Sequence, residues 1–78
     1  MKTVKVLYFA SLRESLGKSE DSFLLDTENS ATSIWQFLNP RHELPEACLI
    51  AINQEYAAAD SAVKAGDELA FFPPVTGG

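Results

Sequence analysis

Along the chain, apolar residues gather first in a β-branched and aromatic run, then fall at helical spacing, then return in short runs of strand length. MKTVKVLYFA is rich in β-branched and aromatic residues and holds neither glycine nor proline, which predicts a first strand. Beyond Lys5 both of its faces are largely apolar, the pattern of an interior strand. SLRE follows. Ser11 is expected to cap a short helix by accepting from the Glu14 amide while the Glu14 carboxylate reaches back, and Gly17 to end it. SFLLD predicts a second strand, and the polar run from Thr27 to Ser30 supplies caps for the next element. Ala31, Ile34, Trp35 and Leu38 recur at i, i+3, i+4 and i+7, so they share one helical face, and Pro40 stops that helix behind Asn39. CLIAIN has the length and composition of a strand, Asn53 to Glu55 reads as a turn, and Tyr56 to Ala58 as a short returning strand. Gly66 and Asp67 make the last turn. ELAFF is then the final strand, and it must end where Pro73 and Pro74 offer no amide hydrogen to a ladder.

One helix covering one face of a mixed sheet is an α+β arrangement. Its element order is that of a ubiquitin-like β-grasp domain. With 78 residues the chain has material for a single core, expected over residues 1–74, and an extended, flexible tail over 75–78 that carries the diglycine. Hydrophobic residues make up 46% of the chain, a normal globular share, so folding without metal or disulfide is expected. Cys48 is the single thiol, which excludes an internal disulfide and a cysteine-rich metal site. No export signal is expected in the first residues, because Lys5 interrupts the apolar stretch and Arg13 and Glu14 follow it. No apolar run approaches the roughly 18 residues of a membrane span. The expected setting is the cytoplasm.

Eleven acidic side chains against six basic ones give a formal net charge of −5. Nucleic acid is excluded as a partner, since phosphate needs clustered Lys and Arg. The charge otherwise serves solubility, or a basic protein partner.

The candidate chemistry lies in the last eight residues, FFPPVTGG. Pro73 and Pro74 favour an extended spacer, and Val75 and Thr76 resist helix. Gly77 and Gly78 have no Cβ, so their backbone can pass through a slot too narrow for other residues. These features suit insertion into another protein's active site better than a frayed end does. At the tip stands the Gly78 carboxylate, ionised near neutrality given an ordinary pKa of about 3.3–3.7. Attack on the α-phosphate of ATP would convert it to an acyl-adenylate, and a sulfide equivalent could then displace AMP. The chain has no P-loop and no GxGxxG motif, so that ATP chemistry is assigned to a partner and the chain to the role of carrier.

Three blocks, VLYFASLRESLG (Val6 to Gly17), AINQ (Ala51 to Gln54) and AGDELAFFPPVTGG (Ala65 to Gly78), resemble the signature segments of the small, sulfur-carrying subunits of molybdopterin synthase. The intervening NPRHELPEACLI is shorter than the matching segment of many relatives. The resemblance implies that a ubiquitin-activating-type adenylyltransferase activates Gly78 with ATP and that a sulfurtransferase or cysteine desulfurase supplies sulfur. It further implies that the large synthase subunit accepts the tail, and that the thiocarboxylate donates sulfur to cyclic pyranopterin monophosphate to build the molybdopterin dithiolene. Two carriers would then serve each pterin in a heterotetramer, with no tightly bound cofactor or metal on the carrier and the catalytic residues expected on the large subunit. Phe72 is expected to anchor the domain against its partners, with Phe9 and Tyr56 in the same patch, leading into Pro73, Pro74, Val75 and Thr76. Arg13 falls in the matching RE block and is expected either to meet a partner or to be an exposed helix cation.

Three other functions share the pattern: a thiamine-pathway sulfur carrier, a ubiquitin-like modifier joined through Gly78 to lysines, and an inert interaction module. FFPPVT before the diglycine favours the molybdopterin type. Cys48 opens an apolar strand and is assigned to packing rather than sulfur relay. His42 lacks nearby ligands or a nucleophile and is assigned to solvent. Asp67 and Glu68 are adjacent on a strand, hence on opposite faces, so they are no acid/base pair, and Asp67 is assigned to the turn.

Overall fold

A computed structural model describes residues 3–25 and 29–73. Seven strands and two helices follow in the order β1 (Thr3–Tyr8), α1 (Ser11–Leu16), β2 (Glu20–Leu24), β3 (Asn29–Ser30), α2 (Ala31–Leu38), β4 (Leu49–Ile52), β5 (Glu55–Ala57), β6 (Ala62–Val63) and β7 (Glu68–Phe72). The main sheet runs β2-β1-β7-β4-β5, and β3 pairs with β6 in a separate two-stranded ladder. β1 and β7 are parallel, with Val6 opposite Leu69 and Tyr8 opposite Phe71; the other pairings are antiparallel. This is the expected mixed sheet of a β-grasp fold, with β1 interior.

Alternation along β1 sends Val4, Val6 and Tyr8 to one face of the sheet, all at most 1% exposed. Leu69 and Phe71 of β7 and Ile50 of β4 join them, and α2 lays Ala31, Ile34 and Trp35 across that face. Trp35 meets Tyr8 and Phe71 edge-on, with ring centroids 5.8 and 4.9 Å away. Its indole N–H donates to the His42 carbonyl at 2.7 Å, so the ring buries without an orphaned donor. Each such fully buried apolar side chain contributes about 1.5–3 kcal/mol. Ser30 caps α2 by accepting from the Ser33 amide at 3.1 Å, and the helix ends at Asn39, before Pro40. A partly buried polar cluster fastens that end: Asn39 Nδ2 donates to the Tyr8 hydroxyl, which donates to Asp21 Oδ2, both at 3.0 Å, and Lys18 pairs with Asp21 at 2.6 Å.

Local differences from the sequence reading have physical causes. Ser11 is not a cap: it already lies within α1, and no side chain caps that helix. The chain turns one residue earlier, at Ala10 (φ 52°, ψ −127°), and the Glu14 amide bonds the Ala10 carbonyl instead, at 3.3 Å. Gly17 does end α1, left-handed at φ 74°. β2 starts at Glu20 rather than Ser22, because its register on β1 sets Glu20 against Leu7. Glu55 belongs to β5, leaving a two-residue turn of Asn53 and Gln54, both at positive φ. The β3–β6 ladder is an element the sequence reading lacks. Met1, Lys2, Asp26, Thr27, Glu28 and Pro74 to Gly78 lie outside the described residues, and with them the tail boundary at 75–78.

Asp67 shapes the final turn as expected. Its carboxylate accepts from the Lys64 amide at 2.8 Å and from Asn53 Nδ2 at 2.9 Å, while Asn53 Oδ1 accepts from the Glu68 amide at 3.0 Å. Two turns from distant parts of the chain are thereby clasped, and the β4–β7 register with them.

Candidate functional site

The same alternation that buries Phe71 turns Phe72 to the sheet face away from α2, so Phe72 is not a core residue. Phe72 and Phe9 stack there, ring centroids 4.7 Å apart and planes 5° from parallel. Parallel pairing sets Leu7 beside Ala70, and antiparallel pairing sets Ala51 between Ala70 and Tyr56. The result is a shallow depression of about 310 Å³ on the open face, walled by Phe9, Tyr56, Phe72 and Leu7. Ala51 and Ala70 are only 5% and 6% exposed yet stand outside the core cluster, because the larger side chains around them form the walls and they form the floor. Tyr56 is 79% exposed, so most of its ring is free to be covered by another molecule. Gln54 and Glu68 give this apolar basin a polar rim.

Phe72, Phe9 and Tyr56 are thus brought together as the sequence reading grouped them. Pro73, half-buried, follows directly on Phe72 at the end of β7, beside the edge of the basin. Pro74, Val75, Thr76, Gly77 and Gly78 lie outside the described residues. Arg13 is exposed on α1 and does not line the basin. Sequence reasoning missed Leu7, Ala51, Ala70, Gln54 and Glu68. The signal was present in the i, i+2 pairs Leu7–Phe9 and Ala70–Phe72, which put apolar residues on both faces of two central strands.

Cys48 packs against the core, and its thiol donates to the Phe72 carbonyl at 3.0 Å. Burial pushes this thiol above its usual 9.0, so it is held as a neutral thiol at physiological pH, unlike a nucleophilic relay. Burial likewise raises the Tyr8 phenol well above its usual 10.0. In both groups the folded state favours the protonated form. That stabilisation is complete below about pH 9 and is lost as pH climbs through the folded values. Urea midpoints measured from about pH 7 to 11 are expected to fall beyond about pH 9, and Cys48→Ala to remove the earlier part of the decline. An equal decline in the variant would show that Cys48 carries none of it.

A larger groove of about 700 Å³ separates α2 from residues 40–46 and is lined partly by His42, Glu46 and Cys48. Among the described residues, no three His, Cys, Asp or Glu side chains gather to hold a metal, and no helix is long and apolar enough to cross a membrane. His42 is exposed, as read.

A model of the ThiS family matches residues 6–78. The molybdopterin synthase sulfur carrier subunit of Chlamydomonas reinhardtii is 38% identical over 81 residues, spanning 96% of this chain and 98% of its own. Small archaeal modifier protein 1 of Haloferax volcanii has a similar structure, with a TM-score of 0.80 at 31% identity over 97% of this chain and 99% of its own. A chain from the complex of subunits 1 and 2 of molybdopterin-converting factor from Helicobacter pylori shares the fold, with a TM-score of 0.65 at 24% identity over 97% and 99% of the two chains.

Proposed function

We propose that this chain, which belongs to the ThiS family, is the sulfur carrier subunit of a molybdopterin synthase. What carries the reading is its likeness, over nearly the full length of both chains, to a protein of that name. The basin at the tail root supports it, because a carrier must be gripped by its body while its tip reaches a distant centre.

In this reading the Gly78 carboxylate attacks the α-phosphorus of ATP in the site of an adenylyltransferase, releasing pyrophosphate. A persulfide on a sulfurtransferase or desulfurase then attacks the acyl carbon and expels AMP, and a second thiol cleaves the resulting acyl disulfide, leaving a thiocarboxylate on the chain and a disulfide on the donor. The large synthase subunit takes the basin on its surface and the tail into its active site, where the sulfur passes to cyclic pyranopterin monophosphate. Two dithiolene sulfurs require two loaded carriers. The chain binds no cofactor tightly, since nucleotide and pterin belong to its partners, and it works in the cytoplasm. Its own task is presentation, through Phe72, Phe9 and Tyr56 as anchors, Pro73, Pro74, Val75 and Thr76 as spacer, Gly77 as the narrow neck and Gly78 as the loaded group.

Intact mass spectrometry of the protein from sulfur-replete cells tests the loading step, and the exchange of one terminal oxygen for sulfur is the expected change. Finding the carboxylate alone would count against the proposal. Phe72→Ala tests docking. Affinity for the large subunit is expected to fall by about 2 kcal/mol or more, with little change in melting, since Phe72 stands outside the core cluster. Unchanged affinity would move the docking surface elsewhere.

The likeness to an archaeal modifier protein favours a second reading, attachment of Gly78 to lysines of other proteins. It predicts higher-mass adducts of the chain in cell extracts, which a dedicated sulfur carrier does not form.

A further inference from the structure

Among the described residues, Ala10, Asn53 and Gln54 hold positive φ without being glycine. Ala10 makes the turn that ends β1, next to Phe9. Asn53, at φ 53°, is accounted for within the fold, because its carboxamide clasps Asp67 and the Glu68 amide. Gln54, at φ 69°, has no such side-chain contact. It occupies the second position of a two-residue hairpin turn behind an asparagine, the place where glycine is preferred and a side chain is disfavoured. Its carboxamide makes no hydrogen bond to any described residue, and it is exposed on the rim of the basin beside Tyr56 and Glu68. The turn needs the left-handed backbone at this position but no side chain, and the long polar one that Gln54 keeps there, unused by any described residue, points to a role outside the fold.

We propose that Gln54 is a specificity residue of the docking face, whose carboxamide pairs with a main-chain peptide group of the large synthase subunit. This rests on the carrier reading above. The carboxamide offers two donors and an acceptor, and docking over the apolar basin strips water from it, so both ends must find partners. Glu68 on the same rim answers a cation. Gln54 is uncharged and is matched by a neutral group that donates and accepts at once, as a peptide unit does. The rigid two-residue turn fixes where the side chain leaves the backbone, so only its own torsions remain to be ordered on binding.

The test is calorimetric titration of the full chain into the large subunit, with melting curves, for the unaltered protein, Gln54→Gly, Gln54→Met and Phe72→Ala. Gln54→Gly is expected to raise the melting midpoint by about 4 °C or more, by relieving the left-handed side chain, while weakening binding about tenfold. Gln54→Met keeps the length and the strain but loses the hydrogen bonds; it is expected to leave melting unchanged and to weaken binding to a similar degree. A structural role alone would move melting and not affinity. If either Gln54 variant binds within about twofold of the unaltered protein, or if the glycine variant melts lower, the proposal is overturned. When the unaltered chain binds, Phe72→Ala does not, and the Gln54 variants still do, this inference alone falls. If the unaltered chain fails to bind the large subunit at all, the carrier reading falls with it.

Discussion

Deleting Gly78, or adding one alanine after it, is expected to abolish sulfur transfer while leaving the melting curve unchanged. β7 ends at Phe72 against β1 and β4, six residues before Gly78, so a change at the last residue leaves the described ladder and core intact. The reaction depends instead on reach. From Phe72 to the end of the sequence the extended chain spans at most roughly 20 Å, and one residue more or less moves the reacting carbon by roughly 3.3–3.6 Å. Transfer between bound groups tolerates misplacement of only about 1 Å before rates fall a hundredfold. Binding should survive, because the anchors on the sheet are untouched. Single-turnover assays with the large subunit and a thiocarboxylated carrier make the comparison. Normal transfer by the lengthened chain, with its mass verified before and after reaction, would rule out the mechanism.

Phe71→Ala is expected to do the reverse of Phe72→Ala, although the two residues are neighbours. Phe71 is fully buried, stacks 6.0 Å from Tyr8 and meets Trp35 edge-on at 4.9 Å, at the point where β7 passes beneath α2. Removing the ring leaves a cavity bounded by those two aromatics, which are held in place by their own hydrogen bonds and so cannot close it. The cost is about 3–5 kcal/mol, a large part of the stability of a domain this small. Denaturant midpoints measure it directly. In stabilising osmolyte the residual folded fraction should still bind the large subunit with ordinary affinity, because the docking ring at position 72 remains. Loss of affinity without loss of stability would place Phe71, against its burial, on the docking side.

That contrast also shows what the sequence made legible. ELAFF reads as a strand from composition, and its boundaries follow from Gly66 on one side and Pro73 on the other. The α2 face was equally plain, because Ala31, Ile34, Trp35 and Leu38 keep helical spacing and all pack in or against the core. The face each Phe takes depends on pairing. Parallel pairing of Tyr8 with Phe71 could not be read from spacing, since it joins opposite ends of the chain. The Ser11 cap failed for a related reason: Ser-x-x-Glu has the local signature, but the strand before it forces the turn onto Ala10. β3 and β6 contribute two residues each, too short for any periodicity to announce them. Gln54 was visible only as a letter in a turn; its strain is a property of φ, and its place on the rim comes from the β4–β5 register.

The central position of β7 also orders events during synthesis. It lies between β1 and β4, yet among the described strands it is the last in chain order. At about 5–20 residues per second, β1 must wait several seconds beside its hairpin partner β2 for the strand that will occupy its other edge. The sheet therefore cannot close until synthesis has passed Phe72. A polypeptide released early, before Phe72, lacks the strand that joins β1 to β4 and presents two unsatisfied strand edges, a form that quality-control proteases recognise. No body with an intact basin can then arise from a chain that stops short of β7, since that strand supplies Glu68, Ala70 and Phe72 to the lining.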